Sequence, residues 1–207
     1  DILLVHSPTQ EMAYLEGGNG LNRRTFAYNY FIIVGPSGDP AGIKGLAPEA
    51  AFRKIYEAGK ADPARVKFIS RGDNSGTHSK EKLIWQAAGY KYADVQQSGA
   101  WYVEAGKGMG ETLNMASEKD AYTLTDEGTF LAYKSDLDLV PIVDSGSILL
   151  NVYSVIVCTK SKQQEMAQNL VDFLTSDEIQ EIIGDYGKAT YGKSLFTPCA
   201  GKEEPTS

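Results

Sequence analysis

Residues 70–77 read Ser-Arg-Gly-Asp-Asn-Ser-Gly-Thr, between the apolar run Val66-Lys67-Phe68-Ile69 and a helix-like run from His78 to Ala88. A buried strand, a polar turn and a helix in direct succession restrict the chain to folds that stack helices on a sheet. The turn packs one arginine, three hydroxyls and two glycines into eight positions. A helix start presents backbone N–H groups without intrahelical partners and the positive end of the macrodipole. A guanidinium and flanking hydroxyls beside it complete a cradle for a tetrahedral oxyanion.

The same alternation continues along the chain and predicts an α/β architecture with largely parallel sheets. Strands are expected at Ile2 to Val5, Tyr28 to Gly35, Val66 to Ile69, Ala100 to Glu104, Ala121 to Leu124, Leu139 to Val143 and Leu149 to Val157. Helices are expected to run to Glu16 after His6-Ser7-Pro8, over Pro48 to Ala58, His78 to Ala88, Glu111 to Glu118 and up to Tyr133. A further helix over Gln163 to Leu174 would place Met166, Leu170 and Leu174 on one side. The last, Asp177 to Ile183, is expected to stop at Gly184.

The two long apolar strands near 28–35 and 149–157 bracket the middle of the chain. As crossing strands they would divide it into a discontinuous lobe, 1–34 with 149–207, and a continuous lobe, 37–146. Such an arrangement hinges, and hinge closure traps ligands.

With 20 Lys and Arg against 27 Asp and Glu, the chain carries a net charge of −7. Nucleic acid and anionic membrane surfaces are therefore poor partners, and an anion must be held by local donors. No stretch approaches the apolar length that spans a bilayer, and no signal peptide opens the chain. Asp1-Ile2-Leu3-Leu4-Val5 reads as a strand already in progress, so a missing N-terminal segment is expected. For Cys158 and Cys199, two buried thiols are the simpler expectation than a disulfide.

Arg71 is the leading candidate for ligand contact. Ser75, Gly76 and Thr77 sit where the helix begins, and helix capping by Ser75 or Thr77 is compatible with anion contact. Asp73 is expected to orient Arg71, because a carboxylate repels a dianion; Asn74 shapes the turn. Gly106-Lys107-Gly108-Met109-Gly110 lacks the spacing and context of a dinucleotide fingerprint, which argues against a nicotinamide cofactor. The helix start at Gly110 offers instead a second N–H cluster that would face the first across a cleft. Thr123 is a further candidate donor, with Thr125 or Asp126 as a helix cap, and Ser7 follows the first strand where α/β crevices take ligands. His6 and His78 read as structural, and without Cys/His spacing no metal-cation site is expected. The chain also lacks a serine nucleophile elbow, a phosphate loop ending in Gly-Lys-Ser/Thr and a catalytic carboxylate pair, so it does not read as an enzyme.

Arg71-x-x-x-Ser75-Gly76-Thr77 resembles the anion-binding turn of phosphate-type solute-binding proteins. The wider pattern resembles the tungstate-binding proteins of bacterial ABC transporters. Its matching blocks are 1–8, 70–77, Gly108-Met109-Gly110-Glu111-Thr112-Leu113-Asn114-Met115-Ala116, Tyr122-Thr123-Leu124-Thr125-Asp126 and Leu195-Phe196-Thr197-Pro198. The resemblance implies a type II periplasmic-binding-protein fold with two α/β lobes. It implies a periplasmic, or extracellular and lipid-anchored, monomer that carries tungstate or molybdate in an interlobe cleft to a membrane permease, with no cofactor. By position, Arg71 and Thr77 would contact the oxyanion. Family members begin with a strand and a Thr/Ser-rich turn, which is the segment expected to be missing ahead of Asp1. Alternatives are a phosphate- or sulfate-binding protein of the same fold, a ligand-sensing domain of a regulator, and an enzyme acting on a phosphorylated or carboxylated metabolite. If Asp73 points at the ligand, protonated phosphate is favoured; if it holds Arg71, tungstate and molybdate are.

Overall fold

A computed structural model describes residues 1–203 and residue 205. In chain order it begins with β1 (Ile2–Val5), α1 (Pro8–Glu16), β2 (Gly20–Pro36), α2 (Pro48–Ala61), β3 (Phe68–Ser70) and α3 (Gly76–Ala87). There follow α4 (Tyr92–Gln96), β4 (Tyr102–Glu104), α5 (Met109–Glu118), β5 (Thr123–Asp126), α6 (Glu127–Tyr133) and β6 (Leu139–Val143). The chain then forms β7 (Leu150–Cys158), α7 (Gln164–Leu174), α8 (Asp177–Asp185), α9 (Lys188–Tyr191) and β8 (Thr197–Pro198). It divides into two compact units, Asp1–Asn29 with Leu150–Ser207, and Tyr30–Leu149.

In the discontinuous unit, β7 lies between β1 and β2 and runs antiparallel to β1 from Ile2 opposite Val157 to Val5 opposite Ser154. β8 pairs antiparallel with β2 at Ala27 and Tyr28. Helix α7 covers this sheet with Ala167 and Val171, which pack with Val155 and Val157. Its buried stripe is therefore Ala167, Val171 and the partly buried Leu174, whereas Met166 is 68% exposed. The expected stripe through Met166 and Leu170 is off by one position, because small residues sit against the β-branched strand surface. Cys199 is buried and Cys158 partly exposed, and both are free thiols.

In the Tyr30–Leu149 unit, the second half of β2 pairs antiparallel with β5, from Phe31 opposite Asp126 to Val34 opposite Thr123. It also pairs antiparallel with β6, with a bulge between Ile33 and Val34. Strands β3 and β4 are parallel, and a parallel bridge joins Phe68 to Tyr122, just ahead of β5. The sheets are thus mixed rather than largely parallel. Among the described residues, parallel pairing is confined to β3, β4 and the bridge at Tyr122 ahead of β5, segments joined by helical crossovers, which is where such pairing is affordable. β2 also starts at Gly20, eight residues before the expected Tyr28, because pairing with neighbours extends its polar, half-exposed first turn of sequence into the ladder. Helix α8 continues through Gly184 to Asp185, and the left-handed break falls at Gly187, with φ 96°.

The core of this unit is aromatic. Phe52, Phe68, Trp85, Trp101 and Tyr102 are buried together, with the Phe52 and Trp85 ring centroids 4.4 Å apart. Burying a side chain of this size stabilises the fold by roughly 2–3 kcal/mol. No helix among the described residues is long and apolar enough to cross a membrane.

Gly35 lies face to face with the buried Tyr122 ring: a Cβ there would stand 2.4 Å from Tyr122 Cδ1. Tyr122 cannot retreat, because its hydroxyl donates to Asp39 Oδ1 at 2.7 Å and accepts from the Ala41 amide at 2.9 Å. Gly35→Ala is expected to lower the unfolding free energy by about 1–3 kcal/mol. Urea denaturation monitored by tryptophan fluorescence measures it.

Candidate functional site

The three mutually parallel strand segments end on the same edge of the sheet, at Ser70, Glu104 and Asp126. Helices α3, α5 and α6 begin at or just after that edge. The carboxyl ends of parallel strands are where open α/β sheets bind ligands. Beyond the strands, Ala105 and Gly106 donate their amides to the carbonyls of Ser70 and Arg71, each at 2.8 Å. The Ser70–Thr77 turn and the glycine-rich segment leading to Gly110 are therefore laced together side by side in one unit. The expectation that they face each other across a cleft is corrected: parallel pairing of β3 and β4 forces both helix starts to one edge.

The turn needs two left-handed residues, Gly72 (φ 62°) and Asn74 (φ 58°). At Gly72 a side chain would also strike Glu104, with Cβ atoms 2.6 Å apart. Ser75 is the N-cap of α3, its hydroxyl accepting from the His78 amide at 3.3 Å. The amides of Gly76 and Thr77, the first two of the helix, have no place in its ladder. Thr77 is buried.

Arg71 Nη2 donates to Asp73 Oδ2, while Asp73 Oδ1 accepts from the Ser75 amide at 3.1 Å. Burial raises the Asp73 carboxyl, but hydrogen bonds from Ser75 and the Arg71 charge outweigh it and hold its pKa below the usual carboxylate range. Asp73 is thus an ionised clamp on the arginine. Arg71 Nε is buried and has no hydrogen-bond partner among the described residues. A buried unpaired donor is destabilising by about 1–3 kcal/mol, and an anion acceptor at this position removes that penalty.

The other candidates take differing places. Gly110 is the second residue of α5, and a Cβ there would lie 2.4 Å from the Tyr133 hydroxyl, so its glycine serves close packing of α5 on α6. Thr123 is buried and its hydroxyl donates to the Ile69 carbonyl at 2.7 Å, which commits its proton to the sheet. Asp126 caps α6, accepting from the Thr129 amide at 2.8 Å. Ser7 belongs to the other unit, where its amide donates to Glu11 Oε1 at 2.6 Å. Glu11 is buried there and also accepts from Arg23 and Ser154. His6 bonds Asn151 at 2.9 Å.

Behind the turn lies a polar network that the sequence reading passed over. Glu81, 2% exposed, accepts from Ser70 Oγ at 2.6 Å, Tyr102 Oη at 2.7 Å and Trp85 Nε1 at 3.0 Å. Ser70 Oγ in turn accepts the Gly72 amide at 3.1 Å. His78 holds the turn structurally: its Nδ1 accepts the Asn74 amide at 2.9 Å, and its Nε2 lies 2.6 Å from Tyr92 Oη. Burial and then the Lys82 charge push the His78 pKa down, which keeps the ring neutral and able to accept. Thr77, His78, Glu81, Ile84 and Trp85 form the buried stripe of α3. The helical spacing of His78, Glu81 and Trp85 is the signal from which this network was readable.

Burial pushes the Glu81 carboxyl up to about 7, against the hydrogen bonds from Ser70, Tyr102 and Trp85 that favour its ionised form. Its proton is therefore held more tightly in the folded chain than in the unfolded one. The resulting stability is complete below pH 4.5, declines as pH rises and is gone above about pH 7. The predicted loss is roughly 3 kcal/mol across that window. It should vanish in Glu81→Gln, as read from urea midpoints at half-unit pH steps.

Residues 1–178 match the PBP superfamily domain. The tungstate-binding protein TupA of Peptoclostridium acidaminophilum is 43% identical over 98% of this chain and 69% of that protein. The tungstate-binding protein TupA of Desulfovibrio alaskensis G20 is a structural neighbour at TM-score 0.77 and 40% identity, over 97% of this chain and 79% of that one. The tungstate ABC transporter protein of Geobacter sulfurreducens superposes at TM-score 0.74 and 40% identity, over 90% of this chain and 77% of that one. The chain spans between 59% and 69% of the length of the curated relatives it matches. On the extent of these matches, the chain belongs to the PBP superfamily, in the family of the tungstate-binding proteins.

Proposed function

We propose that this chain captures a compact tetrahedral dianion, tungstate or molybdate, on the edge where α3 and α5 begin. The observation that carries the reading is the buried Nε of Arg71, without a partner among the described residues, in the turn that leads into the Gly76 and Thr77 amides. Five or six charge-assisted hydrogen bonds, each contributing about 1.5–3 kcal/mol, reach the ~12 kcal/mol of nanomolar binding before entropic losses. Asp73 is the basis of selectivity. It is committed to Arg71 and the Ser75 amide, so it does not stand ready to accept the proton that phosphate carries at neutral pH. A fully ionised tungstate needs only donors.

Delivery to an ABC-transporter permease, a place outside the cytoplasm and a role as carrier rather than enzyme belong to the same reading. They are supported by the relatives named above. In this reading neither nucleic acid nor a cofactor takes part, and the carrier works as a monomer.

Arg71→Ala is expected to weaken tungstate binding at least tenfold in isothermal titration while the circular dichroism spectrum is retained. Arg71→Lys, which keeps the charge but loses the planar fork, should recover only part of it. Unchanged affinity in the alanine variant would refute the assignment.

A further inference from the structure

Resting on that reading, we infer that Glu81 is a positioning residue that couples anion capture to uptake of one proton behind the binding turn. The geometry carries it. Glu81 is buried on the inner face of α3 and grips Ser70, whose hydroxyl holds the Gly72 amide at the first left-handed residue of the turn. A dianion captured by Arg71 and the first amides of α3 sits on the same short helix–strand junction as this carboxylate. Two like charges in so small a buried volume repel, so the neutral form of Glu81 favours capture. By linkage, capture must favour the neutral form to the same degree.

The groups facing Glu81 leave it as the element that titrates near neutrality. From β3 comes Ser70, and from β4 come Tyr102 and Glu104, the latter accepting from Tyr92 and Gln96. From α4 comes Tyr92; from α3 itself come Trp85, His78 and Lys82. Helix α2 turns Phe52 and Tyr56 against Trp85, and its Arg53 bonds the Ala88 carbonyl at the C-terminal end of α3. The turn adds Arg71 and Asp73. Burial holds the Tyr92 and Tyr102 hydroxyls above their usual range, so both stay protonated between pH 6 and 8. Asp73, held below the usual carboxylate range, stays ionised across that window, and burial disfavours a charged His78. Tungstate kept dilute enough to stay monomeric is a dianion across that window, whereas phosphate titrates within it.

The test is isothermal titration of the full chain with sodium tungstate at pH 7, in buffers of differing ionisation enthalpy. The wild-type chain should take up a substantial fraction of a proton per tungstate, and its affinity should fall about threefold or more from pH 6 to pH 8. Glu81→Gln, which keeps the size of the side chain but replaces one acceptor oxygen by an NH2 donor and cannot titrate, should bind with no proton uptake and a flat pH profile. Binding without proton uptake in the wild type, or uptake that persists in Glu81→Gln, would overturn the inference and leave the functional reading intact. No binding of tungstate at all would overturn that reading and the inference together. Should the variant unfold, carbon-13 titration of the Glu81 carboxyl in the wild-type chain decides the matter. Its pKa should rise on adding tungstate, and an unmoved pKa would refute the coupling.

Discussion

One buried carboxylate holds the functional edge together. Glu81 accepts hydrogen bonds from β3, β4 and its own helix, and so fixes where α3 starts relative to the strand ends. Through Ser70 it reaches the Gly72 amide, and His78 secures the Asn74 amide two residues on. The turn between them is braced from behind at both of its left-handed residues. An anion site made from backbone amides must be preorganised in this way, since donors that had to be ordered on binding would lose much of their contribution.

This arrangement also explains how a chain of net charge −7 can attract a dianion. The long-range field opposes approach, and it is screened within about 8–10 Å at ordinary ionic strength. At contact range the charges that count are local. Arg71 is kept in place by Asp73, whose own charge is absorbed by the arginine and the Ser75 amide. In the proposed reading the buried Nε of Arg71, together with the first amides of α3, supplies the donors that meet the dianion. A site of that kind discriminates by protonation state, because it offers donors and withholds acceptors.

The order of elements was largely legible in the sequence, since apolar runs and polar turns alternate with the periods of strands and helices. The octet at 70–77 announced itself by composition. Pairing direction was not legible: β5 reads as one more strand of a parallel set, yet it runs antiparallel to β2, and its parallel link to β3 is a single bridge at Tyr122, just ahead of it. The first half of β2 was hidden by its polar residues, among which Asn22 and Arg23 bond Gln168 and Glu11 through their side chains. Among the site candidates, Ser75, Gly76 and Thr77 fall at the helix start that their types suggested. Thr123 shows the limit of residue-type reasoning, because a hydroxyl on a strand end can equally be spent on a neighbouring carbonyl. The Glu81 network was missed because a glutamate in a helix reads as solvated until its place in the buried stripe is counted.

An amide-resolved NMR titration of the chain with sodium tungstate tests whether the anion sits at Arg71 and the start of α3. The largest shifts are expected at Arg71, Gly76 and Thr77, with smaller ones relayed to Gly72 and Asn74. Saturation with those amides unmoved, and the shifts concentrated elsewhere, would contradict it.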